Sequence, residues 1–290
     1  MNTLNIVEDA QKIYVFEPAY DLTAASEQAN KKKLDAFGVV SKFNLLNKPK
    51  DDTVHAARHE LRYEPFWYID SNREVDYLLK LERKLEIDDE YATSIVINEH
   101  QYEIARDAKK NFVSSEKIYS LLDVQYNCHR DITFKTYIDG LKRNLKTESF
   151  EKLFKNANYK FKEFDNLVHL ENIIAPTLSF SSVLQEMKST LLREKIISHE
   201  ILKDDATVTK IYLFYRPVYA FEYIWSHENK VGVIEIDGLN GEVSEKGEWL
   251  KDKISKVATR DMLFEAGGEV ANGFIPGGGF VVKIINKITQ

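Results

Sequence analysis

HAARHELRYEPFWYI (residues 55–69), EVDYLLKLERKLEI (74–87) and ATSIVI (92–97) lie within one stretch, and their reading decides the fold. Each is rich in the aromatic and branched side chains that favour extended chain, and Ser71-Asn72 supplies turn residues between the first two. Three successive strands are predicted from about Val54 to Val96. Within the first, Arg62-Tyr63-Glu64-Pro65-Phe66-Trp67-Tyr68-Ile69 has a degenerate echo, Tyr215-Arg216-Pro217-Val218-Tyr219-Ala220-Phe221. Both set aromatics around a proline and continue as extended chain. Proline has no N–H to donate, so each is expected on an edge strand or at a bulge. Two such strands predict two related sheets, each with a helix laid on it.

Working outward, residues 13–16 (IYVF) read as a short strand closed by Glu17-Pro18. Thr23 is placed to cap a helix through AASEQANKKKLDAF, and Gly38 to end it. FNLLNKPKDD is a loop, residues 101–122 are helical or mixed, and YNCHRDITFKTYI is a strand. Gly140 then precedes the Lys-rich helix LKRNLKTESFEKLFKNA. In the second half, Ser182 with Gln185 fits a capping box opening VLQEMKSTLLREKII, with Leu184, Met187 and Leu191 on one face. Strands follow at 210–224 and 230–237, joined by SHEN, and Asp237-Gly238 and Asn240-Gly241 are tight-turn pairs.

The composition sets limits. With 43% hydrophobic residues the chain has enough apolar surface for a core, which excludes a wholly disordered protein. A net charge of −6 argues against extended binding of nucleic-acid backbone. The one cysteine, Cys128, excludes an intrachain disulfide framework and a multi-cysteine zinc site. The amino terminus lacks the pattern of a signal peptide and no long apolar run occurs, so a soluble cytoplasmic protein is expected. Of 12 glycines, half lie between Gly267 and Gly279.

FEYIWSHENKVGVIEIDGLNGEV (221–243) resembles the helix–hairpin module of PepSY-like and cystatin-like domains. Asp237, Gly241 and Val243 match the Asp, short turn and Gly-x-Val that end its strand. NKPKDDTVHAARHELRYEPFWYIDSNREVDY (47–77) is similar to the amino-terminal part of an uncharacterised prokaryotic family with paired sheets of this kind. These resemblances imply a fold, helix on antiparallel sheet, rather than an activity.

Several residues invite chemical readings. His55 and His59 on a strand stand roughly 13 Å apart, too far to share one metal ion. Cys128 and His129 point to opposite faces, which favours a small buried cysteine over a nucleophile. Asp70 with Glu82 and Lys84 matches the carboxylate–carboxylate–lysine set of Mg²⁺-dependent nucleases, provided a hairpin brings two strands together. Glu235 and Asp237 alternate with Ile234 and Ile236, the pattern of one wet face and one buried face. GGEVANGFIPGGGFVVK lacks the ending of a phosphate-binding loop. Phe280, Val281, Ile284, Ile285 and Ile288 make one side of a helix with Lys283 and Lys287 opposite, suited to packing on the domain, a partner or a membrane surface.

The expected fold class is α+β: two antiparallel sheets, each packed by a helix, in domains 1–110 and 111–248, with a helical Gly-rich tail, 249–290. With no convincing catalytic set, the expected function is a non-catalytic interaction protein without cofactor or metal. It would bind a protein partner or its own copy through Trp67, Tyr219, Phe274, Phe280 and Ile284. The alternatives are the nuclease on Asp70, Glu82 and Lys84, and a membrane-associated effector acting through residues 260–290.

Overall fold

A computed structural model describes residues 3–38, 48–107, 117–143, 145, 147–245, 247–250, 259–264 and 281–285. In chain order its elements are β1 (Thr3–Val7), β2 (Gln11–Phe16), α1 (Leu22–Lys32), β3 (Val54–Ile87), β4 (Ser94–Ile97), β5 (His100–Glu103), β6 (Ala105–Arg106) and β7 (Ile118–Asp139). There follow α2 (Thr147–Lys155), β8 (Phe161–Phe164), α3 (Phe180–Arg193), β9 (Glu200–Trp225), β10 (Lys230–Asp237), β11 (Val243–Ser244), α4 (Arg260–Leu263) and β12 (Val281–Ile285). The α+β class is as expected. The arrangement is not: in place of two antiparallel sheets there is one mixed sheet, ten-stranded among the described residues, and a separate β4–β5 hairpin.

The difference begins at Ser71-Asn72. No turn forms there; β3 runs unbroken for 34 residues. Ser71 is buried, and its hydroxyl donates to the Phe134 carbonyl of β7. A polar pair that reads as a turn is thus accommodated inside a strand by its neighbour. The main path of the sheet is β11-β10-β9-β3-β7-β6. Strand β3 is antiparallel to both neighbours. His199 N donates to Leu78 O and Ser226 N to Thr53 O, while Gly140 N bonds Pro65 O. The two proline-bearing strands are therefore adjacent and central in one sheet, not in two related sheets.

The chain divides into two compact units. The first comprises residues 1–72, 133–193 and 206–290, the second 73–132 and 194–205. In the first unit consecutive residues of β3 face opposite sides. Phe66 stacks on Phe150 of α2, centroids 4.7 Å apart, and on Phe214 at 5.2 Å. Trp67 meets Phe180 of α3 and Phe264, and its Nε1 donates to the Leu178 carbonyl at 2.9 Å. Trp67→Phe keeps most of this packing and strands that carbonyl, so a loss of about 1–2 kcal/mol is expected in urea unfolding. No measurable loss would mean that water replaces the indole.

Local details also differ from expectation. Asp21, not Thr23, caps α1, its carboxylate accepting from the Thr23 and Ala24 amides. Gly38 follows the helical segment with φ +81°. Ser179, not Ser182, precedes α3 and accepts from the Ser182 amide, and Leu184, Met187 and Leu191 are buried as predicted. The described part of residues 101–122 is extended chain, β5, β6 and the start of β7. Residues 281–285 are not helical: the apolar run VVKII pairs in parallel with β1, Ile284 opposite Ile6. Among the described residues no helix is long and apolar enough to cross a membrane.

Candidate functional site

Glu64 of β3 is wholly buried in the first unit and accepts from three guanidinium groups. Its Oε1 takes Arg62 Nε and Nη2 at 2.9 and 2.7 Å, and its Oε2 takes Arg143 Nη1 at 2.8 Å and Arg216 Nη2 at 3.0 Å. Each arginine holds a further carboxylate. Arg62 reaches Glu235 at 2.5 Å, Arg143 clasps both oxygens of Asp139, and Arg216 bonds Asp237 at 2.6 Å. Burial alone would push the Glu64 carboxyl up. Arg216, Arg143 and Arg62 outweigh it and hold Glu64 down at about 2. General acid–base catalysis needs a group that exchanges its proton near working pH. The carboxylate at the centre of this network keeps its charge at neutral pH and is held by three guanidinium groups.

Four members of the network, Arg143, Arg216, Glu235 and Asp237, line a cleft of about 1310 Å³ together with Phe150 and Lys152 of α2. Its strands also expose an internal repetition. Ile138-Asp139-Gly140-Leu141 ends β7, and Ile236-Asp237-Gly238-Leu239 ends β10. In each, the Asp turns its carboxylate back on its own loop: Asp139 accepts from the Arg143 amide, Asp237 from those of Leu239 and Asn240. In each, the Gly amide donates to the proline of the adjoining strand, Gly140 to Pro65 and Gly238 to Pro217. Glu64 and Arg216, the residues just before those prolines, then pair with each other. The β3–β7 and β9–β10 pairs are two versions of one unit, centred on that ion pair.

The second unit is built differently. Cross-strand contacts assign its two faces. Asp76 with His129, Lys84 with Asp107, Glu86 with Lys117 and Glu74 with Lys203 are ion pairs, and all four β3 residues have even numbers. Odd-numbered β3 residues share the other face, where Arg73 pairs with Asp204 and Arg83 lies over Tyr126. That face carries Val75, Tyr77, Leu79, Leu81, Leu85 and Ile87 from β3 and Leu122, Val124 and Tyr126 from β7. Leu81, Leu85, Tyr126 and Leu202 are 37, 41, 38 and 57% exposed. All the described helices belong to the first unit, as do the buried clusters formed by the described residues. Among the described residues, the second unit is one sheet layer and the separate β4–β5 hairpin, whose Glu103 carbonyl accepts from the buried Ser120 hydroxyl on the same side of β7 as Leu122 and Val124.

The residues singled out from sequence are scattered. Trp67 and Tyr219 lie inside the first unit, in its core. Ile284 lies in β12, and Phe274 and Phe280 fall outside the described residues. Asp70 accepts from Tyr68 and pairs with Lys135 at 3.0 Å, whereas Lys84 pairs with Asp107 and sits over Tyr119. Asp70, Glu82 and Lys84 occupy one continuous strand, not two strands meeting at a hairpin. At about 3.3 Å per residue, the chain between positions 70 and 82 spans far more than a metal site. His59 stacks on Phe221, and Cys128 is half-buried. Glu235 and Asp237 are buried, not on a wet face: Arg216 of the adjoining β9 bonds Asp237, and Arg62 reaches Glu235 from β3, one strand further on. Among the described residues no three His, Cys, Asp or Glu gather as a metal would require.

Sequence reading missed Arg62, Glu64, Arg143 and Arg216. The repeated Ile-Asp-Gly-Leu and the charged residue before each proline were the available signals. No protein-family model, curated protein or solved structure matches the chain.

Proposed function

We propose that this protein is a non-catalytic binding module that engages a protein through the apolar sheet face of its second unit. The observation that carries the reading is that, among the described residues, no second layer covers Leu81, Leu85 and Tyr126 of this face. A sheet with one apolar face gains stability by burying that face against another element, and domains are built from at least two such layers. Here the polar face is laced by ion pairs, while on the apolar one Val75 is buried and Leu81, Leu85, Tyr126 and Leu202 stay exposed among the described residues. Exposed apolar surface of this extent, contiguous and bordered by charge, is typical of interaction sites.

A photoreactive residue placed at position 81, on the apolar face, tests this against one at position 82, on the polar face. Irradiation in cells expressing the protein should give protein adducts from position 81 in large excess. Equal yields from the two positions, or none from position 81, would sink the proposal.

A further inference from the structure

We infer that the cleft beside the Glu64 network binds a short peptide that carries an ammonium and a carboxylate on one apolar chain. The cleft lies wholly within the first unit and is independent of the sheet face proposed above. Its lining comes from two sides of the sheet. One part follows the Asp139-Gly140 turn at the end of β7 and continues into α2. The other includes the end of β10 and follows its Asp237-Gly238 turn. In the strand order β10-β9-β3-β7 these ends lie on either side of β9, which contributes Arg216 and Val218 to the cleft. Each half of the internal repetition therefore supplies one side of the site.

The two sides differ in sign. Among the described lining residues, the side after β7 carries Lys142, Arg143 and Lys152 and no carboxylate. The β10 side carries Glu235, Asp237, Glu242, Glu245 and Glu248 and no cation. Arg143, Glu235 and Asp237 are committed to the network, and Glu245 pairs with Lys32. Lys142, Lys152, Glu242 and Glu248 are exposed, and among the described residues their side chains make no ion pair. Lys142 holds its place at φ +59°, where a glycine would cost less. A ligand of one sign would be drawn to one side and repelled by the other, whereas a ligand with both signs satisfies both. Phe150, Leu153 and Leu250 line the same cleft and suit an apolar body, and Ser149 and Ser244, one on each side, offer hydroxyls to backbone amides. At about 1310 Å³ the cleft exceeds the roughly 300–1,000 Å³ of sites for drug-sized molecules, which leaves room for several residues of chain.

The test is equilibrium dialysis of the full chain against four pools of synthetic pentapeptides built on Leu, Phe and Ser. One pool has free termini. The other three have blocked termini and carry one Lys with one Glu, two Lys, or two Glu. A pool with both signs should bind at least about 10-fold more tightly than either pool of one sign. Preference for free termini identifies a free peptide as the ligand, and preference for the blocked Lys–Glu pool identifies a segment of a longer chain. Lys152→Glu and Glu242→Lys should each weaken that binding about 10-fold, and Lys152→Arg should preserve it. Both side chains are exposed and unpaired among the described residues, so circular dichroism should match wild type for all three variants. Binding of no pool, or equal binding of the pools of one sign, overturns the inference. Binding that both charge reversals leave intact places the peptide elsewhere and overturns it as well.

Discussion

Replacing Glu64 with Gln should destabilise the first unit by about 3–5 kcal/mol, the cost of removing one partner from a buried ion pair. Glu64 is wholly buried and answers Arg62, Arg143 and Arg216 together. An amide is nearly isosteric, but it carries no charge, and its NH2 would face guanidinium donors. The arginines would then hold their charge with less compensation in a medium that screens poorly. Urea unfolding gives the measurement, and a loss below about 1 kcal/mol would show that water reaches the network.

The pH dependence of the same substitution separates charge from shape. In the folded chain Glu64 titrates near 2, below the ordinary glutamate value of 4.5 in the unfolded chain. Its stabilisation is therefore fully present above the unfolded value, and is lost as pH falls through 4.5 towards the folded value. Wild type should lose stability steeply over that window, and Glu64→Gln should lack this component. Parallel curves for the two proteins would contradict the assignment of Glu64 as the ionised centre.

Gly140→Ala should cost about 3 kcal/mol, the upper part of the range for overfilling a packed site. A Cβ at Gly140 would lie 2.7 Å from the Pro65 carbonyl oxygen and 2.9 Å from its ring. The obstacle is backbone and a rigid ring, so no side-chain rotation relieves it. Gly238 has the equivalent neighbour: a Cβ there would meet Pro217 Cβ and O at 2.9 Å. Because the two sites are versions of one unit, Gly238→Ala should cost a similar amount by the same assay. A benign Gly140→Ala beside a severe Gly238→Ala would show that the repetition does not extend to packing. Each glycine packs directly against the proline of the adjoining strand, so the small residue and the proline make one device.

The local pattern read well wherever a short window held the whole cause. Leu184, Met187 and Leu191 recur at helical spacing and line the buried face of α3. Residues 210–224 and 230–237 carry extended-chain composition, and the pair registers antiparallel, Lys230 opposite Trp225. Judgements that depended on a distant partner went astray. Ser71-Asn72 has turn composition, and only the β7 carbonyl that receives Ser71 makes it strand. VVKII is compatible with helix or strand, and pairing with β1 selects the strand. The internal echo around Pro65 and Pro217 was legible, but not that its halves adjoin in one sheet.

By itself the sequence determined an α+β chain with its main helices and strands, the turn after Asp237, and an echo of one motif. These follow from side-chain size, branching and spacing, which act over a few residues. Only the tertiary structure decided that the two echoes share a sheet, that Glu64 meets Arg216, and that Leu81 and Leu85 stay exposed among the described residues. Burial, ion pairing and exposure belong to no residue alone: a carboxylate becomes a lock or a surface charge according to which distant strand lies beside it. The same alternation of Val75, Tyr77, Leu79 and Leu81 would mark a core face in any sheet. Here it runs from the buried Val75 to the exposed Leu81, in a unit to which no described helix belongs.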